Sequence, residues 1–221
     1  MTSAGRLLDA ARTSGPLWAA SLVLDRVLPI GVLGLWRDRK VSVATLSAQV
    51  DAILRAWGMT EDDAAITVEH VLYADRCGID SHGCAMLLHY HRGLRAGSLT
   101  ATPRIEVVRE GETTALLDGG DGFGHVAADR AMKLAIEKAR TTGLACVTVR
   151  NSSHFGAAGA YAAMAAREGF VALVTTNARE PALVPTRSVE AMLGTNPVAF
   201  AARAMRPSSS TWRRARPRSA S

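Results

Sequence analysis

The stretch Val147-Thr-Val-Arg-Asn-Ser-Ser-His-Phe-Gly-Ala-Ala-Gly159 constrains the fold more than any other. It opens as a β-branched run that reads as a buried strand, breaks at Asn151-Ser152-Ser153 and restarts as a helix near Gly156. A strand-to-helix break places polar groups at the strand's carboxyl end, where open α/β sheets keep their ligands. His154 lies in that break. Free N–H groups at a helix start favour an anion and disfavour an imidazolium, so a histidine there is placed to move a proton near neutral pH. A loop histidine that caps the helix fits the same position.

The flanking patterns extend this into a fold class. Val43, Leu46, Val50, Ile53, Leu54 and Trp57 recur at helical spacing, and Gly58 can end the helix. Thr60-Glu-Asp-Asp63 reads as an N-cap followed by acids, and the helix it starts stops at Cys77-Gly78. After the polar turn Gly78-Ile-Asp-Ser-His-Gly83, a third helix runs to Gly97 with Leu87, Leu88 and Leu94 inward. From Pro103 the pattern changes. Short strands are expected over 105–108 and 113–117, then a glycine loop over 119–124, a helix over 126–140 and a strand over 144–149. A helix over 156–167 and a strand over 170–175 follow, and Asn196-Pro197 turns the chain into a last apolar run. This alternation predicts an α/β protein with a largely parallel sheet covered by helices.

Gly122-Phe-Gly124-His-Val-Ala127 matches G-x-G-x-x-A between a strand and a helix, the pattern of a dinucleotide phosphate loop. The acid expected after the next strand is missing, and Arg150-Asn151 stands there, an arginine being suited to a 2′-phosphate. A plain glycine-rich connection explains the residues equally well.

Composition narrows the function classes. Three scattered cysteines without a CxxC pair indicate neither a disulfide framework nor a zinc ribbon and fit a reducing cytoplasm. The net charge of +6 resides in the ends: residues 203–221 hold six arginines and no acid, and residues 1–40 hold six basic residues against three acids. The body between them is acidic on balance, so no nucleic-acid face is expected. Residues 16–36 are apolar, but Asp25-Arg26, Pro29 and Gly31 interrupt them, so a membrane span is not expected. His89 and His91 have no acid or cysteine at ligand spacing and read as surface residues, so no metal is expected. Asp80-Ser81-His82 are adjacent, but a nucleophilic triad needs geometry rather than adjacency.

Four motifs then align in order. Ala74-Asp-Arg-Cys-Gly-Ile-Asp-Ser-His-Gly83, the 119–125 loop, Arg150-Asn-Ser-Ser-His-Phe-Gly156 and Gly194-Thr-Asn-Pro-Val-Ala-Phe200 resemble the malate/L-lactate dehydrogenase family. This is the non-Rossmann type that also holds ureidoglycolate and sulfolactate dehydrogenases and diketogulonate reductase. The resemblance runs from about residue 41 to 202. It implies an N-terminal helical segment plus a layered α/β/α mixed sheet, not a Rossmann fold, and so overrides the phosphate-loop reading. It also implies NAD or NADP as cofactor, a 2-hydroxy or 2-oxo acid (or a related cyclic imine) as substrate, and a cytoplasmic homodimer. Ser81 and His82 match the family's Ser-His motif, where the histidine is a proton donor. His154 matches the histidine taken elsewhere in the family as proton acceptor, and the residues do not choose between the two. Thr195, Asn196 and Pro197 are expected at the cofactor.

The chain departs from the family in three places. Met86 stands where the family has an arginine suited to a substrate carboxylate, removing a charge-assisted bond of roughly 1.5–3 kcal/mol unless Arg92 or another residue supplies it. Arg187-Ser188 replaces a glycine pair. Residues 203–221 replace the family's Leu-Asp-Met-Ala-Thr-Ser loop. That basic tail reads as a disordered extension, but GC-rich codons for Ser208-Ser-Ser-Thr-Trp-Arg-Arg-Ala215, read in a neighbouring frame, give Val-Leu-Asp-Met-Ala-Thr-Ser. The expectation is a truncated or frameshifted product, its α/β domain incomplete at the C-terminus. It divides into a non-family extension (1–40), a helical segment (41–100), a partial oxidoreductase domain (101–202) and an aberrant tail (203–221).

Overall fold

The computed structural model describes residues 41–178 and 181–203. The expected N-terminal extension and all but the first residue of the basic tail lie outside them. The chain divides into units 1–42 and 43–221, and the second is described here.

Helices α1 (Val43–Ala56), α2 (Glu61–Arg76) and α3 (Leu87–Ala96) form the first layer. Thr60 caps α2 by accepting from the Asp63 N–H at 3.3 Å, and three acids fill the first turn, at the positive end of the helix dipole. Gly97, in the left-handed region at φ 68°, closes α3. Val50, Leu54, Leu72, Leu87 and Tyr90 are buried together with Phe123 of the next layer.

That layer is strand β1 (Glu106–Glu110), β2 (Thr114–Gly122), helix α4 (Gly124–Thr142) and β3 (Cys146–Ser152). The sheet order is β1-β2-β3. β1 and β2 are joined by a short turn and pair antiparallel, whereas β2 and β3 are joined through α4 and pair parallel. Ala115 and Leu117 of β2 pack on Ala131 of α4, with Val147 and Val149 of β3 beside them. Helix α5 (Ala158–Arg167) leads to β4 (Ala172–Thr175), which pairs antiparallel with β5 (Val198–Ala201) in a separate two-stranded sheet. Ala162 and Ala165 of α5 cover its inner face. The result is a mixed α/β protein with small sheets.

Three local expectations change. The sheet is not largely parallel, because β1 enters by a hairpin and β4 pairs with β5. The segment 119–122 is not a loop but the end of β2, with a register break between Asp118 and Gly122. Helix α5 begins at Ala158 rather than Gly156, because Gly156 sits at φ 74°, a left-handed conformation that an α-helix cannot include. Among the described residues, no helix is long and apolar enough to cross a membrane. The apolar stretch 16–36 lies outside them.

Candidate active site

The Ser81-His82 turn is held by the helix before it. Two 3₁₀ turns, Asp80–His82 and Cys84–Met86, link α2 to α3. The Asp75 carboxylate, near the end of α2, accepts the Cys84 N–H at 3.0 and 3.3 Å. A Cβ at Gly83 would lie 1.7 Å from Asp75 Oδ1, so only glycine lets the turn press against this carboxylate. Ser81 Oγ lies 2.8 Å from His82 Nδ1, leaving His82 Nε2 uncommitted. Partial burial lowers the His82 pKa.

The His154 loop is seated by the glycines that resembled a phosphate cradle. A Cβ at Gly124 would approach the Ser153 carbonyl oxygen to 2.2 Å, and one at Gly119 the Asn151 carbonyl to 2.7 Å. The Gly124 N–H at the start of α4 donates to Ser153 Oγ at 3.3 Å, and Ser153 Oγ donates to the Gly122 carbonyl at 2.8 Å. These glycines bring two protein segments together and leave no room for a pyrophosphate. Arg150 is likewise committed: its Nε donates to Asp118 Oδ2 at 2.9 Å, where Asn151 Nδ2 also donates at 2.8 Å.

The two loops meet. The His82 and His154 rings lie 5.1 Å apart between centroids. Behind them stands Tyr90 of α3, its ring buried and its hydroxyl 2.7 Å from His154 Nδ1. The Gly156 N–H points at the same nitrogen from 3.4 Å. His154 Nε2 is therefore the ring nitrogen left for a ligand. Burial, then the nearby His82 and His89 rings, push the His154 pKa down to about 4, so the imidazole is neutral at pH 7. Burial raises the Tyr90 hydroxyl, which stays protonated.

Behind Tyr90 lies a second, buried layer. His125 is fully buried, with Nε2 3.5 Å from the Tyr90 hydroxyl. Burial, reinforced by His70 and His154, holds it far below the ordinary range of a histidine, so it is neutral. His70 of α2 meets Asp129 of α4 at 3.2 Å, and Lys133 pairs with the same carboxylate at 2.6 Å. Burial alone would raise Asp129, but the bonds from His70 and Lys133 prevail and its pKa is lowered. The Tyr161 hydroxyl donates to the Phe155 carbonyl and its ring stacks on Phe155, anchoring the loop after His154.

Of the residues singled out in the sequence, Ser81, His82 and His154 are brought together. Thr195, Asn196 and Pro197 are built into a different turn, before β5. There Asn196 Oδ1 accepts the Ala178 N–H at 2.9 Å, and the Pro197 carbonyl accepts the Thr176 N–H at 3.4 Å. No hydrogen bond or ring contact among the described residues links that turn to the histidines. Met86 packs half-buried against the helical core, and Arg92 is exposed on α3. Sequence reasoning missed Tyr90, His125 and the His70–Asp129 pair. Tyr90 was legible in part, since it falls three residues after Leu87 on the inward face, and a buried tyrosine needs a partner for its hydroxyl. No group of three His, Cys, Asp or Glu able to hold a metal ion occurs among the described residues.

A family model described as malate/L-lactate dehydrogenase covers residues 41–210. The malate dehydrogenase of Pyrococcus abyssi is 51% identical over 150 residues, which are 68% of this chain and 41% of that protein. The L-sulfolactate dehydrogenase of Methanocaldococcus jannaschii is 40% identical over 149 residues, 67% of this chain and 43% of that protein. The solved structure of malate dehydrogenase from Pyrococcus horikoshii superposes with a TM-score of 0.73 at 42% identity, covering 76% of this chain and 48% of that one. The fold and the sequence together place this chain with the non-Rossmann α/β fold of these dehydrogenases. It belongs to the malate/L-lactate dehydrogenase family. The chain spans less than half the length of the curated relatives it matches.

Proposed function

We propose that the protein, or the longer protein of which this chain is a part, interconverts a 2-hydroxy acid and a 2-oxo acid with NAD or NADP. The observation that carries this reading is the pairing of His82 and His154 across 5.1 Å at the meeting of two loops, in a chain of this family. The nicotinamide supplies or takes the hydride when bound. The residues then have the remaining work: to bind the acid, orient its oxygen and exchange one proton with it. His82 Nε2 and His154 Nε2 are free for that oxygen, while Ser81 and Tyr90 hold the opposite nitrogens.

Thr195 and Asn196 are exposed at the carboxyl end of β4, a position that fits the polar parts of a nicotinamide nucleotide. With Met86 at its position, the substrate carboxylate must be met by another cation, and Arg92 is the proposed one. The protein is proposed to be a cytoplasmic homodimer, to be checked by sedimentation velocity.

The test has two arms. Titration with NADH and with NADPH, followed by nicotinamide fluorescence, reports cofactor binding. Substitution of His82→Asn and His154→Asn in an active preparation then separates the roles. The group that exchanges the proton loses roughly 10²–10⁴-fold in turnover, whereas an orienting residue loses mostly affinity. Failure of well-folded protein to bind either nucleotide favours a second reading, an inactive remnant. The exposed outer face of β4–β5, with Leu173 and Phe200 66% and 61% exposed, is the observation that keeps that reading open.

A further inference from the structure

The two histidine loops bring polar atoms to the substrate oxygen but no positive charge. His154 is neutral at pH 7, and partial burial also holds His82 below its ordinary value. Arg150, the cation in the strand before His154, is bound to Asp118. A 2-hydroxy or 2-oxo acid nevertheless carries a carboxylate, which needs a charged or strongly donating partner once it leaves water. Helix α3 offers one. From its register we propose that His89 donates a hydrogen bond to that carboxylate, with Arg92 beyond it, and so separates the acid from uncharged analogues of the same shape.

The register of α3 is fixed from two sides. Successive residues of a helix are turned by about 100°. Tyr90 points inward, its hydroxyl 2.7 Å from His154 Nδ1. His91, about 100° to one side, lies against Trp57 of α1, 5.6 Å between ring centroids. His89 therefore takes the other side, still next to Tyr90, whose ring it meets edge-on at 5.9 Å. Arg92 is about 200° round from Tyr90, on the outward face, and is exposed. Since α1 closes the His91 side, the way from Arg92 to the site passes His89, one turn away on the same ridge.

Two further observations point to the same residue. Burial is the main cause of the low His154 pKa, but charge on His82 or on His89 adds to it, so His89 is within electrostatic range of the ring that His82 faces. His89 is also exposed and makes no hydrogen bond or ion pair among the described residues, which leaves its ring nitrogens for a ligand. It sits in the first turn of α3, where the helix dipole adds to the attraction for an anion.

The proposal rests on the reading of the His82–His154 pair as the place where the acid's oxygen binds. The experiment is calorimetric titration of the purified protein with pyruvate and with pyruvamide, its uncharged analogue, in the presence of NAD+ or NADP+ so that no hydride is available for turnover. The wild type is expected to bind pyruvate more tightly than pyruvamide. His89→Leu is expected to weaken pyruvate binding roughly ten-fold or more and to leave pyruvamide unchanged, as the loss of one charge-assisted hydrogen bond requires. His89→Arg should keep the preference, because one cationic donor replaces another. A folded His89→Leu protein with wild-type affinity for pyruvate overturns the inference. So does an equal loss for both compounds, which marks a general disturbance of the site, or a wild type that binds the two alike. The histidine NMR spectrum, recorded over the same titration, separates this inference from the proposed function. Pyruvate that moves the His82 and His154 signals while His89→Leu changes nothing removes the inference alone. Pyruvate that moves neither signal removes both.

Discussion

At the residue scale, His154 is a base held neutral by burial. Its folded pKa of about 4 lies below the ordinary histidine value, so the unfolded chain binds more protons than the folded one between pH 6.5 and 4. The stabilising contribution is complete above about pH 6.5 and is lost as pH falls through 4. A histidine titration by NMR should place the His154 midpoint near 4, and the melting temperature should fall over that window by more in the wild type than in His154→Asn. Gly156→Ala is a sharper probe. It forces alanine to φ 74° and presses a Cβ against His125, so we expect a loss of about 1–3 kcal/mol by chemical denaturation. Gly124→Ala should be worse, since its Cβ meets backbone that cannot rotate away. Arg187 has the opposite sense. It occupies φ 66°, a conformation suited to glycine, so Arg187→Gly should not destabilise the fold and should relieve roughly 1 kcal/mol.

At the element scale, helices α2 and α4 are joined by buried charge as well as by apolar contact. Asp129 receives His70 and Lys133, and Asp63 of α2 receives Arg130 of α4 at 2.7 Å. Asp129→Ala leaves His70 without its buried partner, and a loss of roughly 3 kcal/mol is expected in urea denaturation. Asp129 is held below its ordinary pKa, so its contribution is present above the unfolded value and is lost as pH falls further into the acid range. The helices themselves were legible from the chain. The Thr60 cap, the acids after it and the glycine at 97 are local signals that act within a turn or two. Strand membership was not. The run 170–175 reads equally well as a partner for β3 or for a later strand, and only the pairing of Leu173 with Phe200, 27 residues away in sequence, decides it.

At the scale of the whole molecule, the β4–β5 ribbon is apolar on both faces and covered by α5 on one. Leu173, Val198 and Phe200 are exposed on the other, close together through the β4–β5 register. We expect the purified protein to bind an apolar dye such as ANS in its native state and to scatter light at high concentration. The double substitution Leu173→Ser and Phe200→Ser should lower both signals. If dye binding stays at the wild-type level, the ribbon is not the surface responsible.

The sequence by itself determined the family, the three-helix segment and the β2-α4-β3 unit, and it singled out His82 and His154, which the fold brings together. These rest on local capping, on periodicity and on motifs a few residues long, all of which act over short stretches of chain. Tertiary structure alone decided what the glycines at 119, 122 and 124 are for, because a G-x-G spacing is the same whether the close approach is by a phosphate or by another segment's backbone. It also decided that His154 meets Tyr90, 64 residues earlier, and that Tyr90 in turn meets His125. The partners of a buried imidazole are set by the directions in which neighbouring donors and lone pairs point. Those directions exist only after α3, α4 and the 153–157 loop have packed into one site.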